Sequence, residues 1–169
     1  MGYLTRRALL AISSLVALCS SSFGEVQFAP ADEHFSAAFP GQPDKRTTEM
    51  LGIKSTMYGS KNGDKLFAVA HMLWPTELDP LAEVQSMIDG LVERISAELL
   101  SIEKTTITSA SGKGLAAKKF TFASAKVWGE ALIVVSGQHS YMVSVVMRKP
   151  SEGLDDAGRQ FFSSFRVLN

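Results

Sequence analysis

Lys61-Asn62-Gly63-Asp64-Lys65-Leu66-Phe67-Ala68-Val69-Ala70-His71-Met72-Leu73-Trp74 is the stretch on which the architecture turns. Asn62-Gly63 tolerates positive φ at both central positions of a tight turn, so it predicts a hairpin. The strand that follows is apolar on both faces. Leu66, Ala68, Ala70, Met72 and Trp74 alternate with Phe67, Val69, His71 and Leu73. A strand with two apolar faces needs cover on both sides of its sheet.

Working upstream, Ile53 to Ser60 is the partner strand, preceded across Gly52 by Thr47 to Met50. His34 to Phe39 is a first strand, stopped by Pro40-Gly41. Downstream, Asp79 can cap a helix with Pro80 at its first position, where the missing N–H costs nothing. Leu81, Val84, Met87, Ile88, Leu91, Val92, Ile95 and Leu99 then recur at spacings of three and four, predicting one helix over 81–99. Gly90 interrupts its interior, and a close approach to the sheet would account for it. Glu103 to Ser109 and Leu115 to Ala123 form a hairpin around Gly112-Lys113-Gly114. Trp128 to Ser136 and Tyr141 to Arg148 form another around Gly137-Gln138-His139-Ser140. Pro150 to Gly153 opens a short helix over 154–163, and Phe165 to Leu168 ends the chain as an extended segment.

Strands joined by short turns pair antiparallel, and two amphipathic helices remain to cover them. The expected fold class is therefore α+β: a single domain in which an antiparallel β-sheet is sandwiched between helices.

The N-terminus reads as an export signal. Arg6 and Arg7 precede an apolar run from Ala8 to Cys19, interrupted only by Ser13 and Ser14, and Ser22-Phe23-Gly24 suits a signal peptidase. The run is well short of the roughly 20 residues that a membrane-spanning helix requires. The expected organisation is a signal peptide over 1–24, a flexible leader over 25–33 and the α+β domain over 34–169, with no transmembrane segment left after cleavage. Leu18 stands where a lipoprotein box places a small residue, so no lipid anchor is expected at Cys19. Thr5-Arg6-Arg7-Ala8-Leu9-Leu10 is similar to a twin-arginine signal, and paired arginines also fit an ordinary n-region. Both export routes lead to the periplasm or the exterior.

Composition excludes several chemistries. The chain carries 17 basic and 17 acidic residues. Both basic residues of the signal leave with it, so the mature domain is slightly acidic and lacks the basic stripe that nucleic acid demands. Cys19, the single cysteine, precedes the cleavage site, so the mature domain has no disulfide, thiol nucleophile or iron–sulfur ligand.

The opening Phe35-Ser36-Ala37-Ala38-Phe39-Pro40-Gly41-Gln42-Pro43 resembles the F-x-x-x-F-P-x-x-P start of many small exported bacterial proteins. Gly137 with Tyr141, and the terminal Ser164-Phe165, extend the likeness. The order of elements over about 33–168 is similar to the PsbP and Mog-type α/β/α sandwich superfamily. PsbP is an extrinsic photosystem subunit, and the Mog-type proteins bind the Ran GTPase. The resemblance implies a fold and carries over no functional residue, because neither family's binding motif is present.

No catalytic, cofactor or metal site is expected. His34, His71 and His139 lie in separate segments without metal-ligand spacing. His71 is read as a hydrogen-bonded core residue, His139 as an exposed hairpin tip, and Asp32-Glu33-His34 as the solvated start of a strand. Gly112-Lys113-Gly114 lacks the remainder of a phosphate-binding loop, and no Gly-x-Ser-x-Gly elbow occurs. Asp155-Asp156 suits a helix N-terminus. The methionines are assigned to the core. Tyr58, Trp74, Trp128, His139 and Tyr141 near strand ends are the candidate partner surface.

The leading expectation is a non-enzymatic exported envelope protein that binds a protein partner as an accessory or assembly factor. The alternative is a small-molecule or lipid-binding module with an apolar cavity between the 81–99 helix and the sheet. A third reading is a hydrolase, requiring a histidine within hydrogen-bond reach of a serine or carboxylate inside a cleft.

Overall fold

A computed structural model describes residues 24–50, 53–77, 79–148 and 153–168, with the backbone alone described for Met50, Pro80 and Leu81. The stretch before Gly24 that is expected to be a signal peptide, with Cys19 in it, Gly52, and Pro150-Ser151-Glu152 lie outside the described residues.

The described residues form ten strands and two helices. In chain order these are β1 (Val26–Phe28), β2 (Phe35–Phe39), β3 (Asp44–Met50), β4 (Ile53–Asn62), β5 (Lys65–Leu73) and α1 (Pro80–Arg94). They continue with β6 (Glu98–Thr108), β7 (Gly114–Ala123), β8 (Val127–Ser136), β9 (His139–Arg148), α2 (Asp156–Ser164) and β10 (Arg166–Val167). Seven strands make one antiparallel sheet in the order β3-β4-β5-β9-β8-β7-β6. A second, three-stranded sheet has the order β1-β2-β10.

This arrangement corrects the expected sheet sandwiched between helices. The structure is mostly β, and one face of the large sheet is closed chiefly by the small sheet. Helix dimensions give the reason. At 1.5 Å per residue, α2 is roughly 13 Å long, whereas seven strands at roughly 4.8 Å spacing span about 29 Å. Extended segments supply the remaining cover. Among them is β1, drawn from the stretch expected to be a flexible leader: Val26 pairs with Phe39 and Phe28 with Ala37.

The face beneath the small sheet holds an aromatic core. Phe35, Phe39, Tyr58, Phe67, Tyr141, Phe161 and Phe165 are each at most 2% exposed. Phe39 and Phe67 both meet Phe161, at centroid distances of 5.1 and 5.4 Å. Asp155 caps α2 by accepting from the Gly158 N–H at 3.0 Å, and its carboxylate pairs with Lys65. That contact with Lys65 holds its carboxyl below the usual aspartate range.

The opposite face carries α1, whose Val84 and Ile88 pack with Phe120, Phe122, Ala131, Ile133 and Val135 of β7 and β8. The helix is shorter than predicted. It ends at Arg94 in a Schellman motif: the Ala97 N–H bonds the Val92 carbonyl, the Ser96 N–H bonds the Glu93 carbonyl, and Ser96 takes φ +49°. The chain then turns directly into β6, so Leu99 is a strand residue. A helix about 10 Å across covers two strands. With α1 seated over β7 and β8, the same face of β3, β4 and β5 stays open.

Candidate functional site

Two constructions stand out, one on each face of the large sheet. The first is a buried polar chain at the end of β5. Facing directions alternate along a strand, so His71 points with Phe67 and Val69 into the aromatic side. The turn before β2 delivers Glu33 to the same place. Glu33 is 2% and His71 4% exposed. His71 Nδ1 bonds Oε2 of Glu33, and His71 Nε2 lies 2.8 Å from Nδ1 of His139. The two imidazole planes differ by 16° with centroids 5.1 Å apart, so the rings meet edge to edge.

The roles of all four nitrogens follow. A carboxylate only accepts, so His71 carries its proton on Nδ1 and accepts at Nε2. His139 must then donate from Nδ1, which leaves the lone pair on its Nε2. Burial holds both imidazoles below the ordinary histidine range. For His71 the Glu33 contact opposes that effect, and for His139 the neighbouring His71 and His34 add to it. The Tyr141 hydroxyl donates to the Glu33 and His34 carbonyls at 3.1 and 3.3 Å, and burial pushes it upward. His34, at φ +53°, places its ring edge-on to His139 with centroids 5.2 Å apart.

The expectation for His71 as a hydrogen-bonded core residue holds. His139 is instead half-buried and bonded rather than a free hairpin tip, and Glu33 is enclosed rather than solvated. The hydrolase requirement is met only in its first half. A histidine reaches a carboxylate, but the chain Glu33-His71-His139 lines none of the three cavities described for this protein. Among the described residues, no three His, Cys, Asp or Glu side chains are placed to hold a metal ion. The His71–His139 bond occupies the Nε2 lone pair of His71.

The second construction is the groove that α1 leaves open, with a volume of about 580 Å³. Its floor comes from Met57 of β4, Ala70 and Met72 of β5 and Met142 of β9, and its helical wall from Met87, Gly90 and Leu91. Pairing explains the floor: Met57 faces Ala70 and Ala70 faces Met142 across adjacent strands. A small residue therefore sits between two thioethers, with Met72 two positions along. Met57 is 37% exposed. The core assignment holds for Met147, which is 5% exposed, and Met87 and Met142 pack against the core as well as lining the groove; it is corrected for Met57 and Met72, which line the groove alone. Gly90 also has a different reason from the expected one. A Cβ there would meet nothing within 4 Å, so the glycine widens the groove and is not forced by contact with the sheet.

The five residues expected to form a partner surface do not share one. Tyr58 and Tyr141 are buried in the aromatic core. Trp74 lines the groove on the other face and donates its Nε1–H to Ser140 Oγ at 2.9 Å. Trp128 borders a separate, widely open hollow of about 530 Å³ with Ala97, Leu100 and Ala123. His139 belongs to the polar chain. Sequence reading singled out Glu33 and the methionines but placed them at a solvated strand start and in the core, and it missed Arg46 and Arg94 at the groove. Their positions carry no local signal, since the contacts join segments far apart in the chain.

No family model matches the chain, and no curated protein matches it. A crystal structure of a protein from Bacteroides thetaiotaomicron VPI-5482 aligns with 85% of this chain at 12% identity and a TM-score of 0.44. This chain spans 48% of that neighbour's length. At that similarity the neighbour decides nothing about this protein's function. Among the described residues, no helix is long and apolar enough to cross a membrane.

Proposed function

We propose that this protein is an exported, non-enzymatic binding module that takes an apolar small molecule or lipid chain in the groove between α1 and strands β3–β5. The observation that carries this reading is the groove itself. Its volume of about 580 Å³ falls in the range of ligand pockets, and its lining is mostly apolar. Methionines adapt to ligands of irregular shape, because the thioether chain is unbranched and polarizable. Gly90 contributes in the same sense: a helix interior gives up about 1 kcal/mol by holding glycine in place of alanine, and the open space is what it gains.

Export rests on the Arg6-Arg7 n-region and the Ala8–Cys19 apolar run. The test of binding is fluorescence of an environment-sensitive apolar dye titrated with the purified mature domain. The expected result is saturable binding that Gly90→Leu abolishes, since a side chain there projects into open space. Dye binding unchanged in Gly90→Leu, with the variant folded, rejects the groove.

A protein partner is a second reading, favoured by one observation. β6 is an outer strand of the large sheet, and it exposes Leu100 (51%) and Ile102 (42%). A partner strand would pair along it. The bulge between Leu99 and Ser101 interrupts the regular edge and disfavours pairing at that end. In-cell crosslinking through Ile102 tests this reading, and recovery of no stoichiometric partner removes it.

A further inference from the structure

Two arginines belong to the groove, Arg46 from β3 and Arg94 from the last turn of α1. Neither has an ion-pair or hydrogen-bond partner among the described residues. Every strong cation–carboxylate pair described in the fold lies elsewhere: Lys65 with Asp155, Lys119 with Glu130, Arg159 with Asp156. Two guanidiniums without such partners therefore stand beside the apolar trough, on a protein of balanced charge.

Position strengthens the point. Arg46 pairs with Met57, so it lies in the same cross-strand row as Met57, Ala70 and Met142. Glu83 is the one carboxylate lining the groove among the described residues, and it sits in the first turn of α1. Eleven residues of helix separate Glu83 from Arg94, roughly 16 Å along the axis. Along α1 the groove thus carries Glu83 towards the N-terminal end and Arg94 at the C-terminal end, with thioethers and Leu91 between, while Arg46 stands at the β3 end of the Met57 row.

We infer that the ligand is a single-chain amphiphile with an anionic head: the chain lies on Met57, Met72, Met87 and Met142, and its carboxylate or phosphate is held by Arg46 and Arg94. Guanidinium suits either anion, because its planar N–H fork donates two parallel bonds to carboxylate or phosphate oxygens. A neutral head would leave both cations as they are, and a cationic head would be repelled. The inference rests on the groove reading above and adds the chemical class of its ligand.

The experiment displaces the apolar dye from the mature domain with amphiphiles sharing one lauryl chain, each below its micelle concentration. The set is laurate, lauryl maltoside and lauryltrimethylammonium, with lauroyl lysophosphatidylglycerol as the phosphate-headed counterpart. The expected result is displacement by the anionic members at concentrations at least tenfold lower than the maltoside, with the ammonium weakest. In Arg46→Gln/Arg94→Gln the displacement midpoints of the anionic and neutral members converge. Whichever of laurate and lysophosphatidylglycerol displaces at the lower concentration identifies a fatty-acid or a phospholipid source. Equal midpoints for all heads in the wild type, or an anionic preference that survives the double substitution, overturn the inference and leave the groove reading standing. Dye binding that ignores Gly90→Leu overturns both.

Discussion

The two faces of the seven-stranded sheet are built from the same strands and finish differently. Beneath β1, β2, β10 and α2, aromatic rings interlock around the hydrogen-bonded chain Glu33-His71-His139. Across the sheet, α1 seals β7 and β8 and leaves methionines on β4, β5 and β9 half-covered. The contrast teaches that a two-faced apolar strand states a need for cover without stating how complete that cover will be. One side spends its apolar surface on stability, and the other keeps part of it available.

Substitutions can break or sharpen this contrast. The largest effect belongs to the sealed face. Phe161→Ala, at a position 1% exposed, is expected to destabilise by about 3–5 kcal/mol, whereas Met57→Ala in the groove costs about 1 kcal/mol. Urea denaturation of both variants measures the difference, and equal losses would erase the distinction between the faces.

Glu33→Ala comes next. It strands the His71 Nδ1–H in a buried site, at a cost of about 2 kcal/mol. The same chain gives a pH dependence. Both His71 and His139 titrate below the ordinary value of 6.5 in the folded state, so the unfolded chain binds protons more readily. Their contribution is fully present above pH 6.5 and declines as the pH falls from there towards their folded values. Denaturation midpoints compared at neutral and mildly acidic pH should show that decline, and His71→Phe/His139→Gln should flatten it.

Gly129→Ala tests the helix-covered part of the second face. Gly129 pairs with Phe122, and a Cβ there would lie 2.3 Å from the ring, so repacking should cost about 1–3 kcal/mol in thermal denaturation. The smallest effect has the opposite sign. Gly90→Ala meets open space and improves helix propensity, so it should stabilise by about 1 kcal/mol. A loss of stability there would mean that the groove is narrower than described.

Turn and strand signals were legible because they are local. Asn62-Gly63 marked the β4–β5 hairpin, although the two-residue loop is Gly63-Asp64, with Gly63 at φ +61° and Asn62 paired to Lys65. The helix start at Pro80 was equally readable from its neighbours. Its end was not. Ile95 and Leu99 continue the apolar stripe, and the break depends on Ser96 adopting a left-handed conformation that glycine or asparagine normally signals. The small sheet escaped as well, because β1 and β10 are three and two residues long and hold their shape only by pairing with β2.

The sequence alone determined where the chain turns, which strands need cover on both faces, and which chemistries a domain without cysteine and without a basic stripe lacks. Those follow from backbone sterics, side-chain periodicity and composition, and each acts within a few neighbouring residues. Tertiary structure decided the rest. It chose a second sheet over a second helical layer, brought Glu33, His71 and His139 into one hydrogen-bonded chain, and set Met57, Met72, Met87 and Met142 beside Arg46 and Arg94. Such meetings depend on how wide a sheet is relative to the helices laid on it, a property of the assembled layers that no single stretch of residues carries.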